Sequence, residues 1–185
     1  MDDLTAPRAT LVLGGARSGK SRTAEAIARA QAGAGGDLIY VATAEALDEE
    51  MRARIAAHRV SRGPDWRTID VPLDLARAIA AEARPGAAVL VDCLTLWLSN
   101  LMHREQDVPA ATAGLIAALS GARGPVVLVT NEVGLGIVPD NALARAFRDH
   151  AGRMNQAVAA AAGRVVLVAA GLSLTLKDTP APLNG

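Results

Sequence analysis

Gly14-Gly15-Ala16-Arg17-Ser18-Gly19-Lys20-Ser21 is the stretch whose reading decides the fold. It follows the apolar run Ala9-Thr10-Leu11-Val12-Leu13 and precedes a helix-like segment beginning near Arg22. Strand, glycine-rich turn and helix start form the context in which G-x-x-x-x-G-K-[ST] cradles phosphate. Gly14 and Gly19 permit backbone angles that turn successive N–H groups toward the concave side of the turn. The helix starting near Lys20 adds the positive end of its dipole to the same concavity. The pattern assigns Lys20 to the β- and γ-phosphates and the Ser21 hydroxyl to Mg²⁺. A nucleoside triphosphate is the expected ligand.

Outward from this loop, apolar runs alternate with helical patterns. Strands are predicted at 10–14, 38–42, 66–71, 87–92, 126–131 and 164–170, and helices at 20–31, 47–62, 73–83, 94–103, 110–120 and 141–162. Ala87-Ala88-Val89-Leu90-Val91 and Val126-Val127-Leu128-Val129 are unbroken apolar runs, as a parallel sheet covered on both faces requires. The expected fold is α/β: a P-loop NTPase-like, doubly wound, mostly parallel sheet with helices on both faces. With 185 residues and neither repeat nor linker, the chain is expected to form a single domain, residues 178–185 being a frayed tail.

Composition narrows the function. Nineteen basic and nineteen acidic residues cancel, so no global field gathers nucleic acid. Aromatic residues are only 2% of the chain, too few for a base-stacking platform. A single cysteine, Cys93, excludes an internal disulfide and fits a reducing cytoplasm. No stretch reads as a membrane span or secretory signal.

Ligands of such sheets lie beyond the carboxyl ends of the strands. Those ends carry Ala42-Thr43-Ala44-Glu45, Asp92-Cys93 and Thr130-Asn131-Glu132. Asp92 closes a buried run, the place where phosphate-loop enzymes keep an acid for Mg²⁺; its other reading is a cap for the helix starting near Leu94. Glu132 is a candidate base for an attacking hydroxyl, or a solvated residue beside Gly134-Leu135-Gly136.

In Asp48-Glu49-Glu50-Met51-Arg52-Ala53-Arg54-Ile55-Ala56-Ala57-His58-Arg59, acids precede bases, which complements a helix dipole. Met51, Ile55 and His58 share one face. By spacing alone His58 is a packed or partner-facing histidine, or else a nucleophile helped by Arg54, Arg59 and Arg62. These arginines serve a triphosphate or form a solvated face.

Several segments together resemble the bifunctional adenosylcobinamide kinase/adenosylcobinamide-phosphate guanylyltransferase family of cobalamin biosynthesis. They are the loop at 14–21, Tyr40-Val41-Ala42-Thr43, the acidic start Asp48-Glu49-Glu50-Met51 leading to His58-Arg59, and Val91-Asp92-Cys93-Leu94-Thr95-Leu96-Trp97. Trp66-Arg67-Thr68, Asn100-Leu101, Thr130-Asn131-Glu132-Val133-Gly134-Leu135-Gly136-Ile137-Val138-Pro139 and Phe147-Arg148-Asp149 complete the set. The resemblance implies phosphorylation of adenosylcobinamide by ATP or GTP, then transfer of GMP from GTP to the new phosphate through a histidine–GMP intermediate. It carries the histidine role to His58; where some relatives have two adjacent histidines, this chain has Ala57-His58. It implies nucleotide contacts from Ala42, Thr43 and Ala44, from Arg59, Val60, Ser61 and Arg62, and from Asp70 and Asp92. Guanine recognition falls to Asp70 or Asp92, with Asp92 retained as metal ligand. It also implies a homotrimer, with the helix at 141–162 one candidate contact. The rival expectations are a single-activity kinase in which His58 is structural, and a slowly turning nucleotide switch.

Overall fold

The computed structural model describes residues 9–45, 49, 52–53, 56, 60 and 62–179. Seven strands form one sheet in the order β3-β2-β4-β5-β1-β6-β7. They are β1 (Ala9–Gly14), β2 (Asp37–Ala42), β3 (Trp66–Asp70), β4 (Ala87–Asp92), β5 (Val126–Asn131), β6 (Arg164–Ala169) and β7 (Leu172–Asp178). The first six are parallel, and β7 returns antiparallel along β6. Between them lie α1 (Lys20–Ala32), α2 (Leu75–Glu82), α3 (Leu94–His103), α4 (Val108–Gly121) and α5 (Ala142–Ala161). In the stretch predicted as a helix at 47–62, the described positions 49, 52, 53, 56, 60 and 62 are helical.

Strand pleating sends alternate side chains to opposite faces. Leu11, Ile39, Val41, Val89, Val91 and Leu128 face one side, where α2 to α5 cover them in a large core. Val12, Tyr40, Leu90, Val127, Val129 and Val168 face the other, packed with Ala24 and Ala28 of α1. Small alanines let α1 lie close over the strands, so this layer is thin.

The doubly wound expectation holds, and one strand is added to it. The last expected strand ends at residue 170 and Asp178 is expected in a tail, whereas Leu172–Asp178 pairs with β6. The alternation Leu172-Ser173-Leu174-Thr175-Leu176 carries that signal. α4 begins two residues before its predicted start, because Asp107 accepts from Ala110 N and Pro109 is tolerated in the first turn. Among the described residues, no helix is long and apolar enough to cross a membrane.

Candidate active site

The carboxyl ends of β1 to β6 open on one edge of the sheet, and the predicted site residues that are described gather there. Between β1 and α1, Gly19 takes φ 97°, a left-handed conformation that favours glycine, at the N-cap of α1. Gly14 has no room for a side chain, since a Cβ would lie 2.3 Å from the Val168 carbonyl oxygen and 2.7 Å from Ser18 Oγ. The loop is thus pressed against β6. The turn between β6 and β7 holds it as well, Gly171 N donating to Ser18 O at 2.8 Å. Lys20 Nζ donates to Gly15 O at 3.0 Å, which folds the ammonium back over the loop. Ser18 Oγ is buried without a hydrogen-bond partner among the described residues. A buried hydroxyl left in this state calls for an acceptor from elsewhere.

Glu132 sits beside the loop. Its backbone N donates to Gly14 O at 3.1 Å, and its Oε1 accepts from Gly134 N at 2.6 Å. The end of β5 is fixed from below by uncharged groups. Asn131 N donates to Thr95 Oγ1 at 2.7 Å, the Thr130 hydroxyl to Asn155 Oδ1 at 2.8 Å, and Asn155 Nδ2 to Asn131 O at 3.3 Å.

Asp92 lies at the tip of β4, separated from β1 by β5 alone. Two strand spacings, about 10 Å, therefore part it from the loop. That gap suits a carboxylate acting across a bound ion or water better than one touching Ser21 directly. Tyr40 donates its hydroxyl to Asp92 Oδ2 at 3.0 Å. Asp70 occupies the corresponding place on β3, since Ala42 pairs with Asp70 on one side and Asp92 on the other. The two acids share a face and flank Ala42. Asp70 borders an open groove of about 440 Å³, lined also by Pro72, Asp74 and Arg77.

Thr43 braces the strand ends. Its hydroxyl donates to Cys93 O at 2.7 Å and accepts from Cys93 N at 2.9 Å, while Asn100 Nδ2 donates to Thr43 O at 2.8 Å. Burial, then the charge of Asp92, pushes the Cys93 thiol up to about 11, so it is a neutral thiol rather than a nucleophile. The N-cap position of α3 belongs to Cys93 rather than to Asp92, with no side-chain cap.

Arg62 is buried, not part of a solvated face, with its guanidinium carbon 3.3 Å from the Tyr40 ring centroid. Val60, by contrast, is exposed. His58, Arg59 and Ser61 lie outside the described residues. Tyr40 is not among the expected site residues, although a phenol in an aliphatic strand needs a polar partner, and the sequence carries that signal.

A family model described as cobinamide kinase / cobinamide phosphate guanyltransferase matches residues 10–176. The chain belongs to this family. It is 46% identical over 172 residues to the bifunctional adenosylcobalamin biosynthesis protein CobP of Pseudomonas aeruginosa, spanning 92% of this chain and 98% of that one. To the bifunctional adenosylcobalamin biosynthesis protein CobU of Escherichia coli it is 44% identical over 182 residues, spanning 90% and 98%. Among solved structures, the flagellar accessory protein FlaH from Methanocaldococcus jannaschii superposes with TM-score 0.53 at 13% identity, over 93% of this chain and 79% of that one. A prototypical ATPase from the type III secretion system of pathogenic bacteria gives 0.52 at 12%, over 91% of this chain and 56% of that one. At such identities these two show the fold alone, and the cobinamide kinase family shows the chemistry.

Proposed function

We propose that this chain, as a single cytoplasmic domain, carries out both reactions of the cobinamide kinase/guanyltransferase family at this edge of the sheet. ATP or GTP phosphorylates the aminopropanol hydroxyl of adenosylcobinamide; GMP from GTP then passes to that phosphate, giving adenosylcobinamide-GDP and pyrophosphate. The observation that carries the proposal is the loop at 14–21: left-handed at Gly19, pressed against β6 at Gly14, and crossed by Lys20.

In the kinase step, backbone N–H groups from Gly14 to Ser21 hold the β- and γ-phosphates, with Lys20 swinging from Gly15 O onto the transferring group. Glu132 takes the proton from the attacking hydroxyl as the new O–P bond forms. In the second step the neutral imidazole of His58 attacks the α-phosphorus, a P–N bond forms and pyrophosphate leaves. The cobinamide phosphate oxygen then breaks that P–N bond and frees the histidine. Ser21 and Asp92 are hard oxygen donors of the type Mg²⁺ prefers, and Asp92 has one oxygen fixed by Tyr40. Held there with the phosphates, Mg²⁺ would offset the charge on the departing group. Asp70, beside its groove, is our choice for the guanine N1–H and 2-amino group, leaving Asp92 to the metal. The exposed side chains Leu135, Ile137, Val138 and Leu143 support a covered surface near the start of α5, in keeping with a homotrimer.

GTP labelled at the α-phosphate tests the transferase half. The expected result is an acid-labile, base-stable label on the protein that His58→Ala abolishes. Label persisting in His58→Ala overturns the role of that histidine.

A further inference from the structure

Tyr40 is the only tyrosine in the chain. Three parts of the molecule converge on its ring. The tip of β4 meets its hydroxyl through Asp92 Oδ2. Arg62, four positions after His58, lies across its face. Trp66 closes edge-on at 6.0 Å and 87°, and Arg29 of α1 lies over Trp66 at 5.5 Å. Arg29 also donates to Arg62 O at 3.3 Å and pairs with Asp65 at 2.9 Å.

A carboxylate at a strand tip has free rotation unless a neighbour fixes one oxygen, and a hydrogen bond to a charged group is among the stronger ways to do so. A cation over a buried aromatic face is held in position too. We propose that Tyr40 is the positioning residue shared by both reactions. Its hydroxyl aims Asp92 at the divalent cation, and its ring anchors Arg62 and with it the end of the segment bearing His58. The proposal rests on the reading of Asp92 as a metal ligand given above.

Tyr40→Phe keeps the ring and removes only the O–H. Mn²⁺ affinity, read from the EPR signal of the free ion with a non-hydrolysable GTP analogue present, is expected to fall about tenfold, as for loss of a hydrogen bond to a charged group. The metal concentration that half-saturates the kinase rises in parallel, and excess metal rescues much of the rate. Arg62→Met keeps the bulk and removes the charge. It is expected to slow single-turnover labelling of His58 by α-labelled GTP about tenfold, with a smaller loss of Mn²⁺ affinity than in Tyr40→Phe. Mn²⁺ affinity within about twofold of the unmodified protein in Tyr40→Phe, or labelling within about twofold in Arg62→Met, overturns the proposal. Asp92→Asn separates the two levels. If it loses Mn²⁺ while Tyr40→Phe does not, the positioning role fails alone; if Asp92→Asn also binds normally, the metal reading of Asp92 fails and the proposal with it.

Discussion

The two faces of the sheet hold their buried polar groups by different means. Under α2 to α5, Thr95, Thr130, Asn131 and Asn155 bond to one another without a charge among them. Under α1, the contacts run through guanidinium groups, aromatic rings and a carboxylate: Arg29, Trp66, Tyr40, Arg62 and Asp92. A neutral network that closes on itself fixes backbone, and here it sets where β5 ends and so where Glu132 meets Gly14. A charged one in low dielectric is strong but costly if broken, and it aims side chains. The thick face keeps the shape; on the reading proposed above, the thin face aims the chemistry.

Lys20→Ala breaks this division most sharply. Phosphorylation of cobinamide is expected to fall by about a thousandfold, with the melting temperature nearly unchanged. A near-normal rate would remove the loop from the kinase site. On the opposite face, Asn155→Ala removes the acceptor of the Thr130 hydroxyl and a donor to the Asn131 carbonyl, which costs about 2 kcal/mol of stability. A urea midpoint that does not move would show that the neutral network is dispensable.

The smallest effect concerns Cys93, which packs on the α1 face. Its thiol titrates near 9.0 when unperturbed and about 11 in the fold. The folded protein therefore keeps a proton that the unfolded chain has lost. This stability is fully present below pH 9.0 and declines as pH rises toward about 11. The slope is at most about 1.4 kcal/mol per pH unit. Unfolding midpoints between these limits should flatten in Cys93→Ala; an identical slope in both proteins would place the alkaline sensitivity elsewhere. The Tyr40 phenol, raised in the same sense from 10.0, adds a loss that begins inside this window and continues above it, and Cys93→Ala leaves that loss in place.

The parallel core was legible because buried strands such as Ala87–Asp92 and Val126–Asn131 are unbroken apolar runs, and both match their predicted bounds. The loop at 14–21 was legible because its four fixed positions, Gly14, Gly19, Lys20 and Ser21, each have a steric or electrostatic duty. β7 escaped because its Leu172, Leu174 and Leu176 are exposed, so its alternating pattern does not mark a core face in the usual way. The pairing of Tyr40 with Asp92 and Arg62 depends on residues 52 and 22 positions away from Tyr40. No local spacing rule connects such partners; strand register does, once Ala42 is known to pair with Asp92.

The bond from Gly171 to Ser18 has a consequence for how the protein is made. The loop at 14–21 leaves the ribosome well before its brace, which lies in the turn between β6 and β7. A nascent chain stalled before the β6–β7 turn emerges would therefore carry the whole motif and still hold triphosphate poorly. Competence for binding would arrive only once that turn has emerged.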